Sequence, residues 1–233
     1  MNDASPKPPS INAGVPDFWE RFDQAPRILL GLDYDGTLAP FRNVRHEAKP
    51  LSGISDTLAS LTDMPRLRVV IVSGRPLDEL ATFFPGLPLE MIGAHGWQRR
   101  SVSGEIHDFP VDAGHLAGLD ASEEAARGAG LGAHLERKTA SLALHVRWLS
   151  NADAAAALAA ARRVWKPTAA EAHLGLREFD GGLELRAPGR HKGVALEELL
   201  REMPDGTLPI YVGDDDTDED AFAAIRERGI GIK

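Results

Sequence analysis

Cysteine is missing from this 233-residue chain, which excludes disulfides and metal sites built on thiolates. Long apolar runs are missing too. None approaches the roughly 18 residues that a membrane-spanning helix needs. The opening stretch, MNDASPKPPS, lacks the basic-then-apolar order of a secretory signal and reads as a disordered, Pro-rich tail. Positive charge is in short supply. With 26 Lys and Arg against 35 Asp and Glu, the net charge is −9, and a nucleic-acid partner, which wants a basic face, is not expected. No G-x-S-x-G nucleophile elbow, no G-x-x-x-x-G-K-[ST] nucleotide loop and no internal repeat occurs. What remains is a soluble globular protein, expected in the cytoplasm, away from membranes and as a monomer, with enough chain to bury its own core.

Apolar runs followed by Gly or Pro mark buried strands at 27–32, 67–72, 89–93 and 208–212. Helical spacing appears at 52–61, with Ile54, Leu58 and Leu61, at 78–84 behind Pro76, and at 193–202. This alternation predicts a parallel α/β sheet. The middle differs. Residues 141–148 alternate strictly, with Leu142, Leu144, Val146 and Trp148 on one face and Ser141, Ala143, His145 and Arg147 on the other, as in a strand with one exposed face. An Ala-rich helix is expected at 152–164, and Asp180-Gly181-Gly182 reads as a hairpin turn between strands at 174–179 and 183–186. The expected organisation is a tail at 1–24, a core at 25–105 and 187–233, and an α+β insertion at 106–186. Gly229 to Lys233 reads as the start of one more strand.

Four short segments carry chemistry. In Asp33-Tyr34-Asp35-Gly36-Thr37, two carboxylates stand two apart at the end of a buried strand. They can face one site, and Gly36 allows a sharp turn. That edge is where open α/β sheets bind ligands. Ser73-Gly74-Arg75 also follows a strand and opens a helix; it suits an anion such as phosphate, or serves only as a cap. Lys192 opens a helix and is either a surface charge or the cation such a site needs. In the acidic run at 214–220, six of seven residues are carboxylates. It caps another buried strand, and carboxylate oxygens are the natural ligands of Mg²⁺. Together these meet the demands of phosphoryl transfer. A carboxylate can serve as nucleophile, a cation can neutralise the phosphate, and a second carboxyl can protonate the leaving oxygen.

The order DYDGT, SGR, helix-opening Lys, then GDD…D resembles the haloacid dehalogenase superfamily. The segments DYDGTLAP, GAHG, ERKTASLALHVR, RHKG and YVGDDDTDEDAF are similar to its trehalose-6-phosphate phosphatase branch over about residues 27–232. The resemblance implies a Rossmann-like parallel-sheet core of the haloacid dehalogenase type with an inserted α+β cap, and a Mg²⁺-dependent phosphatase acting through an aspartyl-phosphate. It assigns Asp33 as nucleophile and metal ligand, and Asp35 as general acid/base and metal ligand. Asp214 completes the protein ligands of the metal, and Asp218 supports it through water. Thr37, Ser73, Gly74, Arg75 and Lys192 serve the phosphate. Arg137, Lys138, His145, Arg147, Glu184 and Arg186 read the sugar, or form only the solvated face of the cap. His95 is a substrate contact or a packed core histidine. Phosphatases of sucrose phosphate or mannosyl-phosphoglycerate, and a silent regulatory domain, are the competing readings.

Overall fold

A computed structural model describes residues 17–42, 45–179 and 181–233. Two sheets organise them. The first takes β1 (Ile28–Leu32), β2 (Leu67–Val72), β3 (Glu90–Gly93), β4 (Gln98–Arg100) and β5 (Ile106–Asp108); the second takes β6 (Leu135–Arg137), β7 (Ser141–His145), β8 (Gly175–Phe179) and β9 (Gly182–Arg186). The chain then returns to the first sheet with β10 (Leu208–Val212) and β11 (Ile230–Ile232). In space the first sheet runs β11-β10-β1-β2-β3-β4-β5 and the second β6-β7-β9-β8. Strands from β11 to β3 are parallel, and β4 and β5 extend the sheet antiparallel.

The parallel strands β1, β2, β3 and β10 are buried on both faces, which is why they read as continuous apolar runs, whereas β4 is half-buried and β5 exposed. On one side α2 (Ile54–Thr62) and α3 (Leu77–Thr82) bring Leu58 and Leu80 against Ile71; on the other, Leu196 and Leu199 of α6 (Lys192–Arg201) and Ile225 of α7 (Glu219–Ile225) meet Leu29, Val70 and Tyr211. The second sheet is covered on one face by α4 (Ala113–Gly128) and α5 (Asn151–Glu171), with Leu142, Leu144, Leu183, Leu185 and Trp165 fully buried between them.

Several expectations change. Phe18–Gln24 is a helix, α1, rather than tail; Phe18 and Phe22 pack on the cluster of Ile28, Ile210 and Ile230. Ile106–Asp108, placed in the insertion by sequence, pairs with β4 in the first sheet. The helix expected to stop at Val164 continues past Pro167 to Glu171. Proline removes one helical donor, but Trp165 donates to Ser122 O at 3.1 Å and Thr168 Oγ1 lies 2.6 Å from Ser122 Oγ, so packing on α4 carries the helix through. Strand β7 ends at His145, and Trp148 is 54% exposed instead of facing the core. Ser141 and Ala143, expected on a solvated face, are buried. In the hairpin turn, Asp180 lies outside the described residues.

Candidate active site

Strands β10, β1 and β2 run parallel and in step, with Leu32 opposite Val212 on one side and Ile71 on the other. The chain therefore leaves all three at one edge. Asp33 sits in the middle, Gly213-Asp214 on one flank and Ser73-Gly74-Arg75 on the other. The N-terminus of α6 brings Lys192 to the same place: its Nζ lies 2.5 Å from Asp33 Oδ1 and 2.7 Å from Asp218 Oδ1. All three side chains are buried.

Asp33, Asp214 and Asp218 each bring an oxygen within 4.8 Å of the others, a spacing that a single cation can bridge. They are not equivalent. Asp218 Oδ1 also accepts the Tyr211 hydroxyl, and its Oδ2 accepts the backbone N–H groups of Asp214 and Asp215 at 3.1 Å each. Four donors fill its acceptor sites, so it braces Lys192 and the acidic loop. Asp214 Oδ1, by contrast, is buried without a hydrogen-bond partner among the described residues. A carboxylate oxygen left so in a dry, acidic place fits a hard cation. Asp214 lies flat against Gly36: a Cβ there would sit 2.1 Å from Asp214 Oδ2, and φ at Gly36 is +87°.

The charges follow. Burial pushes the Asp33 carboxyl up to about 7, against the pull of the Lys192 ammonium and with a further push from Asp218. Burial, then Asp218 and Asp215, raise Asp214. Burial acts to lower Lys192, but Asp33 and Asp218 outweigh it and hold the ammonium charged above its usual range. Two carboxylates thus share one ammonium, and the excess negative charge is what a metal would relieve.

Ser73 is buried, and its Oγ accepts the Arg75 N–H at 3.1 Å. Two backbone bonds stitch this loop to the end of β3: His95 N–H to Ser73 O at 3.0 Å and Ala94 N–H to Arg75 O at 2.7 Å. The stitching holds Ala94 and His95 at φ of 48° and 56°, a left-handed conformation that costs non-glycine residues energy. The His95 ring then lies on Gly74, where a Cβ would come within 2.4 Å of it. Burial first, then the cations Arg186, Lys138 and Lys192, keep His95 neutral.

The second sheet roofs this edge. Between roof and floor is a cavity of about 400 Å³, within the usual size for small-molecule sites. Asp33, Asp35, Ser73, Gly74, Arg75, His95 and Lys192 line it from the core, and Lys138, His145, Arg147, Glu184 and Arg186 from the roof. Glu184 is the hub: Lys138 Nζ at 3.1 Å and Ser141 Oγ at 2.8 Å donate to its Oε1, and Arg186 donates to its Oε2. Burial alone would raise Glu184, but Lys138, His95 and Arg186 hold it well below the usual range. With His95 neutral, Lys138 and Arg186 carry that effect.

Not every expected residue arrives. Thr37, Asp214 and Asp218 do not line the cavity. Arg137 turns away, to Lys138 O, Ser141 O and Asp120. Glu136 lines the cavity instead, 2.8 Å from His145 Nε2. Strand alternation puts Glu136 and Lys138 on one face and Arg137 on the other, so this exchange was readable from period alone. Phe41, Trp148, Phe179, Asp215 and Thr217 also line the cavity. Arg147 reaches across the cleft to the Phe41 ring, 5.3 Å from its centre. No sequence signal placed Phe41, Trp148 and Phe179 here, because they converge from three separate segments; Asp215 and Thr217 come with the acidic loop already singled out.

The family model described as Trehalose-phosphatase matches residues 31–233. A Mycobacterium tuberculosis protein described as an uncharacterized glycosyl hydrolase is 31% identical over 94% of this chain, and the chain spans 17% of that protein's length. The trehalose-6-phosphate phosphatase of Escherichia coli is 27% identical over 84% of this chain and 73% of its own length. The C-terminal domain of the Candida albicans trehalose-6-phosphate phosphatase superposes with a TM-score of 0.76 at 22% identity, over 89% of this chain and 76% of that one, which is a likeness of fold.

Proposed function

The chain belongs to the trehalose-phosphatase family, and from that premise we propose that it hydrolyses trehalose 6-phosphate to trehalose and phosphate. The observation that carries the reading is the meeting of Asp33, Lys192 and the partnerless Asp214 oxygen at one sheet edge, under a roof of charged groups suited to sugar hydroxyls. The same arrangement would serve other sugar phosphates; the family match favours trehalose 6-phosphate.

Asp33 attacks phosphorus through a carboxylate oxygen. The bond from phosphorus to the sugar oxygen breaks, and Asp35 gives that oxygen its proton. The products are free trehalose and a phosphoryl group on Asp33. Asp35, now a carboxylate, takes a proton from water. That water attacks phosphorus, the bond to Asp33 breaks, and phosphate leaves. Lys192 offsets the charge of the transferring group, with Ser73 beside it. Mg²⁺ fits Asp33 and Asp214 and, when bound, supplies positive charge that lets an anion approach an anion. Lys138, Glu136, His145 and Arg186 meet the sugar hydroxyls.

A phosphate-release panel tests this. Trehalose 6-phosphate, sucrose 6-phosphate, mannosyl-phosphoglycerate, glucose 6-phosphate and an aryl phosphate are compared by kcat/KM, with Mg²⁺ and after chelation. Trehalose 6-phosphate is expected to lead by at least about tenfold, a difference of roughly 1.4 kcal/mol, with no turnover after chelation. A different leader would reassign the substrate, and full activity without metal would remove the mechanism.

A further inference from the structure

Arg75 stands in the loop expected to hold phosphate, yet its guanidinium is committed elsewhere. Nε donates to Asp35 Oδ2 at 2.7 Å and Nη2 to Asp35 Oδ1 at 2.6 Å. Nη1 pairs with Glu79, one helical turn further on. The rings of Tyr34 and Phe83, stacked on each other at 5.0 Å, both flank the guanidinium, at 5.2 and 5.4 Å from its carbon. Arg75 is 4% exposed, whereas the Asp35 side chain is 32% exposed and opens onto the cavity.

We propose that Arg75 is a positioning residue: it holds the Asp35 carboxylate in one orientation facing the leaving oxygen and does not bind the substrate's phosphate. The inference rests on the phosphatase reading above. Its physical basis is threefold. A fork-to-fork pair fixes the plane of a carboxylate as well as its place. Glu79 and the two rings fix the arginine in turn, so the orientation is inherited from α3 and the end of β1. And two carboxylates more than cancel one guanidinium, leaving little attraction for a phosphate dianion. Proton delivery depends on such alignment, because a small displacement of a catalytic group is costly. Asp35 sits on the turn after β1, and among the described residues only Arg75 donates to its carboxylate oxygens.

The test separates orientation of an acid from binding of an anion. Full-length wild type, Arg75→Met, Arg75→Lys and Glu79→Gln are assayed with Mg²⁺ on phenyl phosphate and 4-nitrophenyl phosphate. Phenolate is a poor leaving group and needs the proton; 4-nitrophenolate leaves without it. Neither ester carries a sugar, so the substrate assignment does not enter. General acid–base catalysis is worth 10²–10⁴-fold, and misorientation forfeits part of it, so kcat/KM on phenyl phosphate, which reports the chemistry only as far as departure of the phenol and not the later attack of water, is expected to fall about 10- to 100-fold in Arg75→Met. On 4-nitrophenyl phosphate the fall in kcat/KM should stay under about threefold, because no proton is demanded of the acid before the ester bond breaks. Competitive inhibition by inorganic phosphate should not change, and Arg75→Lys should recover part of the loss. Equal losses on both esters together with weakened phosphate inhibition would overturn the proposal in favour of a phosphate-binding arginine. No loss on either ester would overturn it as well. Should Arg75→Met lose its cooperative melting transition, Glu79→Gln decides. It leaves the fork to Asp35 in place but loosens the arginine, and must show the same leaving-group selectivity at smaller size; equal or absent losses there would refute the inference. A wild type that releases phosphate from neither ester would instead strike the phosphatase reading itself, a result distinguishable from all the others.

Discussion

At the scale of the residue, the proposed mechanism rests most heavily on Asp33. An amide cannot form an acyl phosphate, so Asp33→Asn should keep less than about 1% of wild-type turnover, measured as phosphate release with deamidation excluded by mass spectrometry. The same substitution should raise the melting temperature of chelated protein, because it removes one of two carboxylates competing for Lys192. The pH dependence has a definite sign. Burial lifts the Asp33 carboxyl from 3.8 to about 7 in the folded, metal-free protein, so folding favours its protonated form. That contribution is complete below the unfolded value and is lost as pH rises through the folded one. Chelated protein should therefore melt at lower temperature as pH rises from about 4 to about 7 through this group. Over the same window the rise in melting temperature caused by Mg²⁺ should grow, since metal and proton compete for one carboxylate. Scanning calorimetry across pH, with and without Mg²⁺, reads both. A Mg²⁺ effect independent of pH would mean that Asp33 is not the group the metal meets.

At the scale of the element, turns and strands decide what those residues can reach. The turn after β1 brings Gly36 against Asp214, and a methyl there would overlap its Oδ2 in a backbone region that disfavours side chains. Gly36→Ala should weaken Mg²⁺ affinity at least about tenfold, or roughly 1.4 kcal/mol, by displacing Asp214, read by titrating activity against Mg²⁺. Unchanged affinity would separate Asp214 from the metal. In the roof, Glu184 is buried and already bonded to Lys138, Ser141 and Arg186. Glu184→Ala takes away the acceptor that Lys138, Ser141 and Arg186 share. Losing a hydrogen bond to a charged group costs about 1.5–3 kcal/mol, so the variant should melt below wild type and lose kcat/KM on trehalose 6-phosphate more than on 4-nitrophenyl phosphate. Equal loss on both substrates would assign Glu184 to roof integrity alone. Alternation along β6 illustrates how finely an element sorts side chains: Glu136 and Lys138 enter the cavity while Arg137 between them bonds α4's Asp120.

At the scale of the molecule, two sheets close on one cavity, and what spans the cleft is polar or aromatic. Arg147 lies over Phe41, Arg186 lies 3.3 Å from His95, and Arg177 of β8 pairs with Asp220 of α7 at 3.2 Å. On the proposed reading Mg²⁺ would bind the folded arrangement of Asp33 and Asp214 and not the unfolded chain, so at 100 times its dissociation constant it should stabilise by about 2.7 kcal/mol, raising the melting temperature. An unshifted transition at saturating Mg²⁺ would mean that the acidic edge is not a metal site. The sequence by itself determined the central strands, because a strand buried on both faces must be written as an unbroken apolar run, and it marked the strand ends as the place for Asp33, Ser73 and Asp214, because parallel strands bring their ends to one edge. It left Lys192 open between a surface charge and the cation of the site; burial against Asp33 and Asp218 decided that. Only the tertiary structure decided the rest. The buried status of Ser141 and Ala143, the commitment of Arg75 to Asp35 and Glu79, the saturation of Asp218, and the cavity places of Phe41, Trp148 and Phe179 all depend on contacts between segments far apart in the chain. Local spacing states which way a side chain points from its own element; what it meets there is set by the other elements packed against it.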